Sequence, residues 1–288
     1  FEAVVGQLGN SKVRTNASAE SPRRCLRRVG LTGGAPQGKP RSSSRAGIPH
    51  RGFQRRVLYY PECAEIVRQA CGARFVAGFD HNVRSAAGKE SERRIEGGQL
   101  VQGPAHLVHG DYTLTSAPQR LRDLTKPPGA NDTLATLLSA GDALLDAGEI
   151  EGILAGGRYA IINVWRNIAQ TPVATHPLAL CDAASVSPED LVVFEIHYHD
   201  RIGENYFAKH ADGHRWYFYP GLTRDEALLI KQWDSAGELA RSNGANSDAA
   251  DPDGPCTFSF HSAFKDPATP LDAPDRWSIE VRCIVIYD

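Results

Sequence analysis

The sequence predicts a mainly β fold with helices, a jelly-roll or sandwich core carrying helical insertions. Three observations lead there. Short runs rich in β-branched and aromatic residues recur through the last four fifths of the chain, bounded by Gly, Pro, Asn and Asp. Only a few stretches carry helical spacing or capping signals between those runs. No internal repeat organises the chain, and long polar insertions separate its elements.

Taken in order, the globular pattern begins at Val57. Tyr60-Pro61-Glu62 opens a helix with Pro at its first position, turns Ile66, Val67 and Ala70 inward, and stops at Gly72. Residues 74–80 read as a strand, 85–103 as a polar loop, and 106–115 as a short alternating strand. Asn131 caps a helix to about Ala147, with Leu134, Leu137, Leu138, Leu144 and Leu145 on its apolar side. Residues 158–165, 191–199 and 215–219 are strands. Thr223-x-x-Glu226 has the form of a capping box ahead of Ala227, Leu228, Leu229, Ile230 and Trp233, which predicts a helix among the strands. Residues 236–255 form a loop, and 256–260 and 278–287 are the last two strands.

Composition narrows the function classes. The chain has 288 residues, 41% hydrophobic and 23% charged, enough for a full core. No apolar run approaches the roughly 18 residues of a membrane span. Six cysteines without a C-x-x-C pair read as reduced thiols of an intracellular, cytoplasmic protein. Residues 1–56 hold 12 Lys and Arg against Glu2 and Glu20, whereas 57–288 hold 20 basic and 32 acidic residues. That acidic body argues against nucleic acid as partner. The basic head reads as a poorly ordered extension, with organelle targeting left open. A chain that starts at Phe1 and contains no Met is expected to be a fragment, or a sequence with residues omitted.

The chemistry concentrates in His109-Gly110-Asp111, the distant His261 and Arg276. On a strand, i and i+2 share a face, so His109 and Asp111 can reach one ion. His-x-Asp, then a remote His, then Arg is the order in which a double-stranded β-helix oxygenase supplies its parts. Two imidazoles and one carboxylate leave three positions of Fe(II) open, and an arginine suits the far carboxylate of 2-oxoglutarate. By the same parity Arg276, Ser278, Glu280 and Arg282 share a face, and Arg282 serves a salt bridge as readily as a co-substrate. His210-Ala211-Asp212 repeats the short motif, but beside Gly213 it reads as a surface turn. His197, His199 and Glu204 resemble part of the first cupin motif without its glycines, Leu191 standing where the first would fall. Cys181 reads as a buried thiol, and residues 216–219 read as core packing.

Longer stretches carry a resemblance. Tyr59-Tyr60-Pro61-Glu62, residues 79–84, residues 108–113, Ile162-Asn163-Val164-Trp165-Arg166, residues 177–182, His214-Arg215-Trp216-Tyr217, residues 225–229 with Lys231 and Asp234-Ser235, His261-Ser262-Ala263-Phe264 and residues 276–287 follow one order. They resemble the fungal and bacterial hydroxylase/desaturase family of non-heme iron proteins. The resemblance covers residues 57–288 and leaves 1–56 outside, so it implies an oxygenase domain at 57–288. It further implies Fe(II), 2-oxoglutarate and O₂, with His109, Asp111 and His261 as iron ligands. Arg276 becomes the 2-oxoglutarate anchor, with Arg282, Arg166 and Ser278 as other cofactor-side positions. Tyr112, Thr113, Asn163 and Trp165 would line the substrate pocket. The implied reaction is hydroxylation or desaturation of an unactivated C–H bond in a small natural product. A homo- or hetero-dimer stays open, and so does a non-catalytic partner of an active homologue.

Overall fold

Residues 3–8, 26–31, 51–95, 99–129, 132–197, 202–237 and 256–288 are described by a computed structural model, in which two six-stranded sheets dominate. The first runs Leu26–Leu31 (β2), Ala3–Leu8 (β1), Glu226–Asp234 (β10), Tyr159–Asn167 (β5), Ser278–Ile286 (β12) and Phe75–Arg84 (β3). The second runs Leu191–His197 (β7), Ile202–Ala208 (β8), His109–Gly110 (β4), His261–Ala263 (β11), Leu178–Cys181 (β6) and Trp216–Phe218 (β9). All pairings are antiparallel except β1 with β2.

The first sheet is covered on its outer face by helix Arg51–Cys71 (α1), whose Tyr60, Cys63, Ile66 and Val67 pack on Ile162, Val164, Val281 and Cys283. Its inner face has two halves. Antiparallel partners share a face, so the pairs Arg282–Asn163, Glu280–Trp165 and Ser278–Asn167 line one half, joined from β3 by Asp80, Asn82 and Arg84. Beyond them Ile284 pairs with Ile161 and Ile286 with Tyr159. The apolar half packs with Tyr206 and Cys181 of the second sheet, and Trp165, Leu228 and Ile230 meet Leu178 and Leu180. The core thus lies between the sheets, with a polar patch built into one end.

Several elements depart from the sequence reading. The first helix begins ten residues earlier and contains Pro61. The lost main-chain bond is offset by the apolar face that docks downstream of it; the helix still ends before Gly72, at φ +67°. Only His109–Gly110 pairs within the strand expected at 106–115. There Thr113 Oγ1 accepts from the main-chain N–H of Thr115 and Ser116, turning the chain into helix Ser116–Asp123 (α3). The polar stretch 85–103 opens with helix Ala86–Glu90 (α2), capped by Ser85. No helix spans 132–146: a 3₁₀ turn at Thr133–Thr136 is capped by Asp132, Gly141 takes φ +90°, and helix Ala147–Gly156 (α4) follows. The leucines expected on that helix reach the core nonetheless. The cap read at Asn131 lies outside the described residues, as do residues 238–255 of the expected loop.

The largest correction is at Glu226–Asp234, a strand and not a helix. Its apolar run is buried on both faces, Leu228 and Ile230 against the second sheet and Ala227 and Leu229 against the α1 side. Such a run lacks the polar alternation that identifies a half-exposed strand. Thr223 and Glu226 do bond as a cap would, Glu226 Oε2 accepting from Thr223 N and Oγ1 at 3.0 Å each, but they close a turn. Residues 256–260 are likewise unpaired as a strand, and the strand is His261–Ala263.

Candidate metal centre

Strand pairing creates the site. β11 sits between β4 and β6, and His261 lies opposite His109. Their rings are 4.4 Å apart, and His109 Nε2 is 3.6 Å from Asp111 Oδ1. One ligand atom from each of His109, Asp111 and His261 falls within 4.8 Å of the others; among the described residues this is the His/Cys/Asp/Glu group close enough for a metal. Gly110 fits closely between the first two, where a Cβ would meet Phe258 Cδ2 at 3.0 Å.

The surroundings present the right atoms. His109 Nδ1 bonds the Leu107 carbonyl at 2.7 Å, and His261 Nδ1 lies 3.4 Å from that of Ser259. A carbonyl only accepts, so each Nδ1 carries the proton and each Nε2 keeps its lone pair free for a metal. Burial, then the neighbouring His109, pull the pKa of His261 down to about 4, so its imidazole is neutral at pH 7. Burial opposes the charge of Asp111, yet Arg282, His261, His109 and the Asn163 amide together hold it well below the ordinary carboxylate range. Asn163 Nδ2 donates to Asp111 Oδ2 at 3.1 Å and to Glu280 Oε1 at 2.5 Å. Arg282 joins Asp80 at 2.9 Å and Asp111 at 3.5 Å. Asp80, Asp111 and Glu280 are thus linked through Arg282 and Asn163, which leaves Asp111 Oδ1 and the two Nε2 atoms open to a divalent cation. The donor set fits such an ion.

Arg276 is 2% exposed beside this patch, its guanidinium 5.6 Å from the Trp165 ring. Nη1 donates to the His176 carbonyl, the backbone N–H to Thr175 Oγ1, and Nε has no partner. Burial, then the Arg84 charge, draw its pKa down to about 10, which leaves it cationic at neutral pH. It is a buried cation with a spare donor.

Other expected positions fall differently. Ser278 is buried on the polar half between Arg84 and Asn167. Arg166 is on the outer face, its Nε donating to the Arg224 carbonyl, and the fold does not bring it to this group. Thr113 donates to Glu204 Oε2 at 2.6 Å and holds the turn, while Tyr112 is buried in the core and burial pushes its phenol up to about 12. That bond also occupies Glu204 of the cupin-like set; His197 is exposed and pairs with Glu195, and His199 lies outside the described residues. His210 and Asp212 are exposed in a turn, 3.9 Å apart. Sequence reasoning passed over Gln232 and Asn205. Gln232 Oε1 accepts from the Asp111 N–H at 3.2 Å, and Asn205 Nδ2 donates to the Asp111 carbonyl at 3.2 Å. The one signal for Gln232 is a neutral amide beside Lys231 at the end of the apolar run of β10.

Residues 54–286 match the family described as an oxidoreductase/YMDC permease-like domain. Among curated relatives, a hydroxylase/desaturase (poxK) of Penicillium oxalicum is 36% identical over 252 residues, covering 80% of this chain and 65% of its own length. An alpha-ketoglutarate-dependent dioxygenase (phiK) of a fungal species is 32% identical over 231 residues, covering 80% and 69%. The solved iron and alpha-ketoglutarate-dependent endoperoxidase NvfI superposes with a TM-score of 0.58 at 25% identity, over 80% of this chain and 68% of that one. The chain spans about half to two thirds of the length of the curated relatives it matches.

Proposed function

The chain belongs to this family of iron- and 2-oxoglutarate-dependent hydroxylases and desaturases, and from that premise we propose that it oxidises an unactivated C–H bond of a small natural product. In this reading the two sheets are the halves of a double-stranded β-helix, and residues 57–288 are the oxygenase domain. The observation that carries it is the convergence of three donors, both Nε2 atoms free, beside a buried arginine with an unused N–H.

His109, Asp111 and His261 would hold Fe(II), and Arg276 would bind the distal carboxylate of 2-oxoglutarate. The metal would supply O₂-dependent oxidation coupled to decarboxylation of 2-oxoglutarate to succinate and CO₂. The protein's part is positional. His176 and Thr175 fix Arg276, Trp165 lies beneath its guanidinium, and burial keeps water from competing for that cation. Five free cysteines among the described residues support a reducing compartment, which we take to be the cytoplasm.

The test is to titrate anaerobic Fe(II) protein with 2-oxoglutarate and record the visible charge-transfer band of a chelated keto acid. A band that is absent from His109→Ala supports the reading. Iron binding without a band, or a band unaffected by the substitution, removes it. Deleting residues 1–56 should leave the band in place if 57–288 is the domain.

A further inference from the structure

We propose that Arg282 and Asn163 are positioning residues that hold Asp111 as a one-oxygen metal ligand and so set how many coordination sites remain; the inference rests on the metal reading above. The two oxygens of Asp111 have different surroundings. Oδ2 receives Asn163 Nδ2 at 3.1 Å and faces Arg282 Nε at 3.5 Å, whereas Oδ1 is turned toward His109 Nε2. One oxygen is engaged by the protein and the other is left for the ion. The main chain of Asp111 is fixed too, its N–H on Gln232 and its carbonyl on Asn205, so the residue that carries the carboxylate keeps its place at the end of β4.

The consequence is one of counting. A six-coordinate ion with two imidazoles and a one-oxygen carboxylate keeps three sites, two for a chelating keto acid and one for O₂. If Asp111 bound through both oxygens, only two would remain, and the keto acid would have to give one up. Arg282 and Asn163 prevent that. Arg282 is itself fixed by Asp80 at 2.9 Å, and Asn163 by Glu280 at 2.5 Å. All four belong to β3, β5 and β12 of the first sheet, while the ligands come from the β4 and β11 side of the second. The facing sheet therefore sets the ligand geometry. It also separates two buried arginines six residues apart, Arg276 just ahead of β12 and Arg282 within it: Arg282 is engaged by carboxylates, and Arg276 retains a free N–H.

The experiment compares two keto acids on anaerobic Fe(II)-loaded protein through the charge-transfer band. 2-Oxoglutarate has a distal carboxylate and pyruvate has none, but both chelate through the same two oxygens. We expect Arg282→Gln to weaken both by the same factor, about 10- to 100-fold as for partners that orient a metal ligand, with Fe(II) still bound. Arg276→Ala should weaken 2-oxoglutarate alone. Asn163→Ser should repeat the Arg282→Gln pattern and serves if that variant fails to fold, and Arg282→Lys should recover part of the loss. A selective loss of 2-oxoglutarate binding in Arg282→Gln would make Arg282 a tail anchor and overturn the proposal. Unchanged binding of both keto acids in Arg282→Gln and Asn163→Ser would overturn it as well. A wild type without any band removes the premise, and the proposal with it.

Discussion

At the residue scale the site depends on atoms that have no substitute nearby. His109→Ala, Asp111→Ala and His261→Ala should each lower Fe(II) or Mn(II) affinity by more than about 100-fold, beyond what loss of an outer hydrogen-bond partner causes; calorimetric titration measures it. Full metal binding in any one would remove that residue from the set. Gly110→Ala should weaken metal binding without touching a donor, because its methyl presses on the Phe258 ring and the strain falls on the backbone between His109 and Asp111. Phe258→Leu in the same chain should restore part of the affinity, a rescue that a general folding defect would not show. The His-x-Asp pair, His261 and Arg276 were legible in the sequence because their order and residue types carry chemistry. Gln232 and Asn205 were not, since an amide that clamps a main chain has no characteristic spacing. Parity was useful for Arg282, whose shared face with Glu280 already implied a charge partner. It could not say that Asp80, some 200 residues away, would be one.

At the element scale β10 shows where local pattern fails. Thr223 and Glu226 make their bonds, yet the residues beyond form a strand because both faces of the run are buried between layers. Strand and buried helix are hard to separate when nothing on the segment faces water. β5 and β12 were legible at nearly their true limits because their runs are long and rich in β-branched residues. β10 ends on Asp234, whose side chain is 0% exposed and accepts two bonds from Arg158, at 3.1 and 2.8 Å, with Lys231 at 3.2 Å. Burial raises its pKa, but the Arg158 bonds and the Lys231 charge outweigh it and hold the carboxyl below the usual range. A depressed carboxylate contributes stability above its unfolded pKa of about 3.9 and loses that contribution as pH falls through the folded value. Asp234→Asn should therefore destabilise the protein by roughly 1–3 kcal/mol at pH 7, through loss of the charge-assisted hydrogen bonds that half-exposed Arg158 makes to this buried carboxylate. The difference from wild type should shrink below about pH 4. Urea midpoints across that range test it, and a gap constant with pH would contradict the assignment.

At the scale of the molecule, the inner surface between the sheets is divided. One half is apolar and closes the core; the other gathers Asp80, Asp111 and Glu280 around Arg282, with Arg276 and Arg84 alongside. Neither half stands out in the composition, because the polar residues come from β3, β5 and β12 and alternate with apolar ones on the outer face. A divalent ion held by His109, Asp111 and His261 would tie β4 and β11 to the network reached through Asp111. Ligand that binds only the folded chain stabilises it by RT ln(1 + [L]/Kd), about 2.7 kcal/mol at a hundredfold excess over Kd. For a domain of this size that corresponds to a rise in Tm of about 5–10 °C. Mn(II), which resists oxidation, should give this shift in the wild type and almost none in His109→Ala. 2-Oxoglutarate should add a further rise only when Mn(II) is present, since its chelating end needs the ion. A rise with 2-oxoglutarate alone would mean that Arg276 and its neighbours bind the dianion unaided, and the order of assembly would then run from co-substrate to metal.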